Sequence, residues 1–318
     1  MAHPTSDGKT AVFFGYGELA LAGLEAMANT GTKAVAVCVP SNREGPQVEQ
    51  IRAWAAQRGI PCLTQPRREA CSQLVEQLRE LRPDLILVWS YSMILPRTLL
   101  DVPRLGAVNL HGGLLPEYRG GHVMQWAIIN GECESGMTLM YIDEGIDTGP
   151  VIAQALFPIE PDDDAPRVRD KLKRAGIDLI QTWLPAVAKG TAPRVSQDES
   201  RAKYYPLRTP EDGLIDWTQP SQRIINLIRA LAAPWPGAFT YYHGRKIVVR
   251  RARLNADDGT GISGQVLGMD TSGLYVRTGH GCLRIESVEV DGLVAPPLEL
   301  TGVFPGVGEV FQSTVPIA

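Results

Sequence analysis

Apolar and polar segments alternate along the first 190 residues in an order that predicts strands and helices in turn. Short apolar runs predict strands, and the longer runs between them predict helices, several ending at a glycine. The strand-like runs are TAVFFG, KAVAVCV, IPCLT, LILVWS, AVNL, GMTLMYID and PVIAQALFPI. We therefore predict an α/β fold with a Rossmann-like, doubly wound sheet, closed by a long helix within residues 163–190.

The pattern changes after about residue 190. Residues 191–210 are polar and contain prolines, which is typical of a linker. Beyond them, one amphipathic helix, SQRIINLIRALA, precedes short β runs about ten residues apart with glycine at the turns. We predict a catalytic domain at 1–190, a linker at 191–210, and a smaller C-terminal β-barrel domain, OB-like, at 211–318.

A polar pair interrupts the apolar run GAVNLHGG. Residues two apart on a strand point to the same face, so Asn109 and His111 are predicted to share one face while Val108 and Leu110 share the other. Ligands of open parallel sheets bind beyond the carboxyl ends of the strands. A glycine-rich loop follows the histidine, and glycine lets backbone approach a ligand closely. These features predict that the pair is functional.

A cluster of carboxylates follows the strand GMTLMYID. Asp143, Glu144 and Asp147 lie in the sequence DEGIDTG, where Asp and Gly are also ordinary turn formers. Near His111, one of these carboxylates would orient the imidazole or accept a proton. Asn, His and Asp together suit attack of a nucleophile on an acyl carbon, since the amide and a cationic ring stabilise an oxyanion.

The stretch FFGYGELA fits the dinucleotide-binding pattern G-x-G-x-x-A at Gly15, Gly17 and Ala20. The acidic residue that would bind the ribose is missing after the second strand, where Arg43 could instead meet a 2′-phosphate. A nicotinamide-dependent oxidoreductase, or a mere binding module, is therefore one alternative. The other is that the glycines serve only a tight strand-to-helix turn, which we favour.

Composition narrows the classes of function, partner and location that remain for this protein. The net charge of −4 gives no overall attraction to nucleic acid or to an anionic membrane. No apolar run approaches about 20 residues, the first residues lack the pattern of a signal peptide, and the five cysteines form no CxxC pair. We therefore expect a cytoplasmic protein without a membrane partner, a disulfide framework or a zinc site.

The ordered motifs NLHGGLLPEYRG, NGE and DEGIDTG resemble those of the formyltransferases that use N10-formyltetrahydrofolate. LRPDLILVWSYSMILP and the region from RTPEDG to PWPGAF extend the resemblance to most of residues 10–255. The chain resembles the methionyl-tRNA formyltransferases in its two-domain plan. It looks most similar to the formyltransferase domain of the enzyme that modifies aminoarabinose in polymyxin resistance.

The resemblance implies an enzyme with N10-formyltetrahydrofolate as co-substrate and no metal. By position, Asn109, His111 and Asp147 match the catalytic trio of the family. The backbone that holds the pterin matches Met93, Ile94 and Leu95. The loop that closes over the pterin matches Asp143, Glu144, Gly145, Ile146 and Asp147.

The acceptor is less well defined. Relatives often carry serine at the position of Gly113, and the polymyxin-resistance enzyme uses a cation at the position of Gly121, so His122 before Val123 is a candidate replacement. Arg119 and His122 are the predicted substrate-binding residues. The tRNA enzymes carry a Gly- and Lys-rich insertion after the second strand, where this chain has only VPSNREGPQVEQ.

We therefore predict transfer to a small primary amine, with a nucleotide-linked amino sugar preferred. Initiator tRNA is the main alternative, and an amino acid or peptide-antibiotic precursor is another. HGRKIVVRRAR, residues 243–253, is locally basic, but on a strand its charges would be split between two faces. The sequence leaves a homodimer open.

Overall fold

The computed structural model describes residues 8–67, 70–256, 260–300, 302–304 and 306–313. The chain divides into two compact units that interleave along the sequence. Unit 1 comprises the residues up to Gly120, Glu134–Pro158 and Asp170–Tyr205. Unit 2 comprises Gly121–Cys133, Ile159–Arg169 and the residues from Pro206 onward.

Unit 1 is built on a seven-stranded sheet with the order β3-β2-β1-β4-β5-β7-β8. The strands of this unit are β1 (Thr10–Phe14), β2 (Lys33–Pro40), β3 (Cys62–Gln65), β4 (Leu85–Trp89), β5 (Ala107–His111), β6 (Arg119–Gly120), β7 (Glu134–Tyr141), β8 (Val151–Pro158) and β9 (Tyr204–Tyr205). Its helices are α1 (Gly17–Asn29), α2 (Pro46–Gln57), α3 (Ser72–Leu81) and α4 (Arg97–Leu100). The helix α6 (Ala165–Lys189) contributes residues to both units.

The predicted Rossmann-like sheet is confirmed, with one refinement. The five strands from β3 to β5 are parallel, whereas β7 and β8 are antiparallel to their neighbours, so the sheet is mixed. The connection from β7 to β8 spans only residues 142–150, and a parallel crossover needs a longer connection. All five residues of β4 are buried, as the continuous apolar run predicts for a central strand.

Unit 2 contains the C-terminal barrel. Its elements are α5 (Val123–Asn130), α7 (Ser221–Ala230), β10 (Ala238–Tyr242), β11 (Arg245–Asn255), β12 (Val266–Asp270), β13 (Gly273–Arg277), β14 (Cys282–Val290) and β15 (Leu293–Ala295). The antiparallel order is β10-β11-β14-β13-β12, with β15 on β14. Residues 310–312 bridge to Tyr241 on one side and to Gln265 on the other, which closes the predicted small barrel.

Each unit has its own apolar core. In unit 1, Val12, Phe14, Ile86 and Leu78 belong to one buried cluster between the sheet and its helices. In unit 2, Trp217 packs among the inward-facing residues of the barrel and stacks on Phe311. None of the helices formed by the described residues is both long enough and apolar enough to cross a membrane.

Candidate active site

Strand β5 presents the predicted polar pair. Val108 and Leu110 are buried on one face of the strand, and the side chains of Asn109 and His111 alternate with them. His111 is 7% exposed, and Asn109 is half-buried. Within the described residues, the Asn109 side chain makes no hydrogen bond, so its amide is available to a ligand.

The loop that follows β7 brings Asp147 to this pair. Because β7 is antiparallel to β5, Tyr141 lies beside Val108 and Thr138 lies beside His111. The strand β7 therefore ends next to the beginning of β5, and the chain must run back along β5 to reach the histidine. It does so, and Oδ1 of Asp147 lies 3.4 Å from Nδ1 of His111.

Both ring nitrogens of His111 face protein oxygens. Nε2 lies 2.5 Å from the backbone carbonyl oxygen of Tyr118. A carbonyl only accepts hydrogen bonds, so the hydrogen of this contact resides on Nε2. Nδ1 lies 3.4 Å from Oδ1 of the Asp147 carboxylate, which also only accepts hydrogen bonds. The ring therefore lies between two acceptor oxygens, one from a backbone carbonyl and one from a carboxylate.

The Asp147 carboxylate is fixed from two sides. Its Oδ2 accepts a hydrogen bond of 2.9 Å from the backbone N–H of Gly120, while Oδ1 faces His111. The residue has a φ of 55°, in the left-handed region that non-glycine residues rarely adopt. Its backbone carbonyl accepts a hydrogen bond of 2.8 Å from Nε2 of Gln197. Such a conformation persists only where surrounding contacts hold it.

Arg119, predicted to contact substrate, lies in a different environment. Its side chain is 0% exposed, and its guanidinium donates to Gln197, to both carboxylate oxygens of Glu199 and to the hydroxyl of Tyr204. The hydrogen bonds to Glu199 raise the pKa of Arg119, and the same bonds lower the pKa of the Glu199 carboxyl. This geometry favours a supporting role for Arg119 within unit 1.

The first predicted folate loop follows β4. Its backbone is anchored by the buried Gln65, whose Nε2 donates to the carbonyl of Ile94 at 2.9 Å. The Ile94 side chain is 63% exposed, whereas Leu95 is buried. In the part of the chain that the structure describes, the backbone N–H groups of Met93, Ile94 and Leu95 have no acceptor. Free backbone donors beside an exposed apolar side chain fit the edge and face of a pterin ring.

The second predicted folate loop is stabilised largely by its own polar groups. The Asp143 carboxylate accepts hydrogen bonds from the N–H of Gly145 and the hydroxyl of Thr148, at 3.0 and 2.6 Å. Glu144 forms a 3.0 Å ion pair with Arg97. A further member of this loop, Ile146, is 55% exposed. The carboxylates of Asp143 and Glu144 are thus engaged in protein contacts, and the apolar Ile146 is presented outward.

The residues that depart from the family pattern at 121–123 lie in unit 2. A Cβ atom at Gly121 would lie 2.4 Å from Cδ2 of Leu207, so the space of a side chain at 121 is already occupied. His122 has a φ of 52°, and its Nδ1 accepts a hydrogen bond of 3.0 Å from the backbone N–H of Arg208. Val123 is buried and begins α5. At Gly113, in unit 1, the carbonyl accepts a hydrogen bond of 2.7 Å from the Thr138 hydroxyl.

The glycine turn of FFGYGELA uses its backbone donors within the protein. The N–H groups of Gly15 and Tyr16 donate to the carbonyls of Cys38 and Ser90, each at 3.1 Å. They are therefore engaged, and a pyrophosphate would have to displace these bonds. The Arg43 guanidinium, the candidate partner of a 2′-phosphate, lies over the Tyr16 ring at 5.7 Å. The geometry favours a structural turn over a nicotinamide site.

Comparison with known families finds two matches along the chain. Residues 8–184 match the family described as "Formyl transferase", and residues 208–295 match "Formyl transferase, C-terminal domain". The chain belongs to the formyltransferase family. It is thus a transferase of a family that uses formyl-tetrahydrofolate, as the resemblance of its motifs predicts, and the oxidoreductase alternative finds no support.

Curated relatives cover almost the whole chain. The methionyl-tRNA formyltransferase of Geobacter metallireducens is 36% identical over 290 residues, which are 90% of this chain and 92% of that protein. That of Pelobacter propionicus is 37% identical over 289 residues, 89% of each chain.

Solved structures share the fold at lower identity. WlaRD, described as a sugar 3N-formyl transferase with dTDP and 5-N-formyl-THF, is 19% identical with a TM-score of 0.68, covering 90% of this chain and 98% of its own. An N-formyltransferase from Helicobacter canadensis, with folinic acid and dTDP-3-aminofucose, is 20% identical with a TM-score of 0.68, covering 87% and 98%.

Sequence reasoning missed the residues whose side chains hold the site loops in place. Gln65 lies in an apolar strand with no motif around it, and Gln197 and Glu199 lie in the stretch 191–210, predicted as a linker. That stretch also contains a 3-10 turn, Glu199–Arg201, and the strand β9. The only signal was an amide beside two acids in SQDES, which is equally typical of a solvated loop.

Proposed function

We propose that this formyltransferase moves the formyl group of N10-formyltetrahydrofolate to a primary amine, at a site formed by Asn109, His111 and Asp147. The observation that carries the proposal is the approach of the Asp147 carboxylate to the His111 ring, 3.4 Å apart, beside an Asn109 amide that is free to bind a ligand. The folate, when bound, would supply the formyl group: the amine forms the new C–N bond, the bond from the formyl carbon to N10 breaks, and tetrahydrofolate leaves with a proton on N10.

Each member of the trio has a distinct role in this proposal. Asp147 accepts the proton that the amine loses, because its carboxylate remains 17% exposed while held by Gly120 and His111. The Asn109 amide donates to the formyl oxygen as negative charge develops there. His111 contributes positive charge, and its contact with the Tyr118 carbonyl would have to open before it could donate directly to that oxygen.

The two loops support binding of the folate. The unpaired backbone N–H groups of residues 93–95 suit the hydrogen-bonding edge of a pterin, as the family resemblance implies for Met93, Ile94 and Leu95. The exposed side chains of Ile94 and Ile146 offer apolar surface to its faces. Neither loop offers a buried, unpaired charge, which suits a flat, largely neutral ring.

For the acceptor, we favour a small primary amine, and among such amines a nucleotide-linked amino sugar. Phosphate-backbone binding depends on clustered cations that release counterions. The basic strand β11 is the main candidate for such a cluster, but part of its charge is neutralised, because its four arginines share three carboxylates, one of which also pairs with Arg284. The ion pairs are Arg245–Asp291, Arg250–Glu289, Arg251–Glu286 and Arg253–Glu286. Lys246 lies over the Phe239 ring instead.

The loop after the second strand supports the same preference. Between the end of β2 and the start of α2 the chain has only residues 41–45, with Arg43 as its one basic side chain. The tRNA-modifying members resembled by this sequence carry a Gly- and Lys-rich insertion there. This chain lacks a segment of that length and charge.

Initiator tRNA is the second candidate. The relatives at 36 and 37% identity are methionyl-tRNA formyltransferases, and they extend over about nine-tenths of this chain. That coverage includes the C-terminal barrel. The sequence relatives and the charge distribution therefore point to different acceptors, and a direct competition between acceptors decides.

The experiment is a formylation assay with N10-formyltetrahydrofolate and three classes of acceptor. These are methionyl initiator tRNA, nucleotide-linked amino sugars, and amino acids or aminoacyl peptides. We expect an amino sugar to give the highest kcat/KM, with little dependence on salt. Efficient formylation of tRNA that falls steeply between 50 and roughly 200 mM salt would assign the enzyme to tRNA and leave the chemistry intact.

A further inference from the structure

The side-chain amide of Gln197, which is outside the predicted trio, holds the backbone of Asp147 in place. Nε2 of Gln197 donates to the carbonyl oxygens of Asp147 and Gly149, at 2.8 Å each. One amide group therefore spans the two residues that flank Thr148. These two bonds restrain the loop at the point where Asp147 takes its left-handed φ of 55°.

The amide is itself fixed by a buried cation. Oε1 of Gln197 accepts from Nε and Nη2 of Arg119, at 3.1 and 2.9 Å. Arg119 is fully buried, and its remaining donors reach the Glu199 carboxylate at 2.7 and 2.9 Å and the Tyr204 hydroxyl at 2.9 Å. The orientation of the Gln197 amide is thereby determined, because the guanidinium accepts nothing and must face the oxygen.

We propose that Gln197, oriented by Arg119, is a positioning residue for formyl transfer: it holds the Asp147 backbone so that the carboxylate faces His111. The inference rests on the proposed role of Asp147 as proton acceptor. A carboxylate that moves by about 1 Å loses alignment with the amine, and displacements of that size cost about 10²-fold in rate. Gln197 itself acts only through Asp147.

Gln197→Glu is the most informative variant. It preserves the side-chain length and the acceptor for Arg119, so the buried guanidinium keeps its partner. It replaces the N–H donors by an oxygen that faces the carbonyls of Asp147 and Gly149. We expect kcat to fall at least about tenfold, with the KM for N10-formyltetrahydrofolate changed less than twofold. Gln197→Met, which removes both polar atoms, provides a second variant should the first unfold.

A matched control comes from the same segment. The Ser200 hydroxyl contacts only the exposed Asp198 within this turn, so Ser200→Ala perturbs the stretch without touching the network. We expect Ser200→Ala to retain full activity. Thermal unfolding of all variants, compared with wild type, separates a local change at the site from a loss of fold.

A double-mutant cycle tests whether Gln197 acts through Asp147. In an Asp147→Asn background, single-turnover rates should be the same with and without Gln197→Glu, because the group being positioned is gone. An additional loss in that background, or a folded Gln197→Glu enzyme with wild-type kcat, would overturn the inference. Asp147→Asn with near wild-type activity would instead overturn the proposed function, so the two failures are distinguishable.

Discussion

Oδ1 of Asp147 lies 3.4 Å from Nδ1 of His111, although the strand that precedes Asp147 ends beside the opposite end of β5. The connecting loop reverses direction to bring the two groups together. The left-handed backbone of Asp147, the Gly120 N–H and the Gln197 amide all support this placement. The left-handed backbone conformation of Asp147 is energetically unfavourable and is held by these hydrogen bonds. Such conformations concentrate at functional sites.

Replacement of His111 by glutamine should lower turnover by at least about 10²-fold while the fold is kept. Glutamine preserves a donor for the Tyr118 carbonyl but carries no positive charge next to Asp147. Circular dichroism and folate binding should match wild type. Turnover within a few fold of wild type, with folate still bound, would remove His111 from the proposed chemistry.

Ile94→Ala should weaken folate binding and spare the chemical step. Burial of an exposed isoleucine against a ligand is worth roughly 1–2 kcal/mol, so the KM for N10-formyltetrahydrofolate should rise about tenfold with kcat nearly unchanged. Leu156→Ala is the control, since Leu156 is similarly exposed at 56% but lies on β8, outside the two predicted folate loops. Equal effects of the two substitutions would contradict the assignment of the loop at 93–95.

Gly15→Ala should destabilise the protein, because the turn at Gly15 is a packing feature. A Cβ at this position would lie 2.5 Å from the Trp89 carbonyl oxygen, and overpacking of this kind costs about 1–3 kcal/mol. At Gly268 a Cβ meets open space, so Gly268→Ala is the control for denaturant unfolding.

Calorimetric titration of the wild-type protein with NADH and NADPH should show no binding. Micromolar affinity for either would restore the dinucleotide interpretation.

Asp84→Asn should destabilise the protein at neutral pH but not near pH 2. Partial burial raises the Asp84 pKa, but hydrogen bonds from Arg104, Thr10 and Lys9 outweigh it and lower the pKa from 3.8 to about 2. A depressed folded-state pKa contributes stability above the unfolded-state value that is lost as pH falls from about 4 to 2. The melting temperatures of wild type and Asp84→Asn should therefore converge as the pH falls through that window. Asp101→Asn is the control and should change the melting temperature little, because the ion pair of Asp101 with Arg97 is exposed.

Sequence patterns predicted the sheet and the polar pair because both depend on local alternation. The apolar run of β4 and the spacing of Asn109 and His111 on β5 are visible in a few residues each. The helix α5 was not predicted, since six of its eight residues are buried and a helix that is apolar all round shows no 3.6-residue period.

The contacts that complete the site depend on chain reversal and long-range pairing. No local pattern indicates that Gln197 reaches Asp147, or that Arg119 is buried and bonded to Glu199. The stretch that carries Gln197 has the polar, proline-bearing composition of a linker. Its role becomes visible only when the partners, distant in sequence, are seen together.

Formyl transfer by wild type and by Asp147→Asn, measured side by side, tests the proposed function of this site. The assay follows N-formyl product and tetrahydrofolate from N10-formyltetrahydrofolate with the best acceptor of the panel. We predict stoichiometric formation of both products by wild type and a rate at least about 10²-fold lower for Asp147→Asn, with folate affinity retained. Equal rates for the two proteins, or no formylated amine from wild type with any acceptor, would contradict the account.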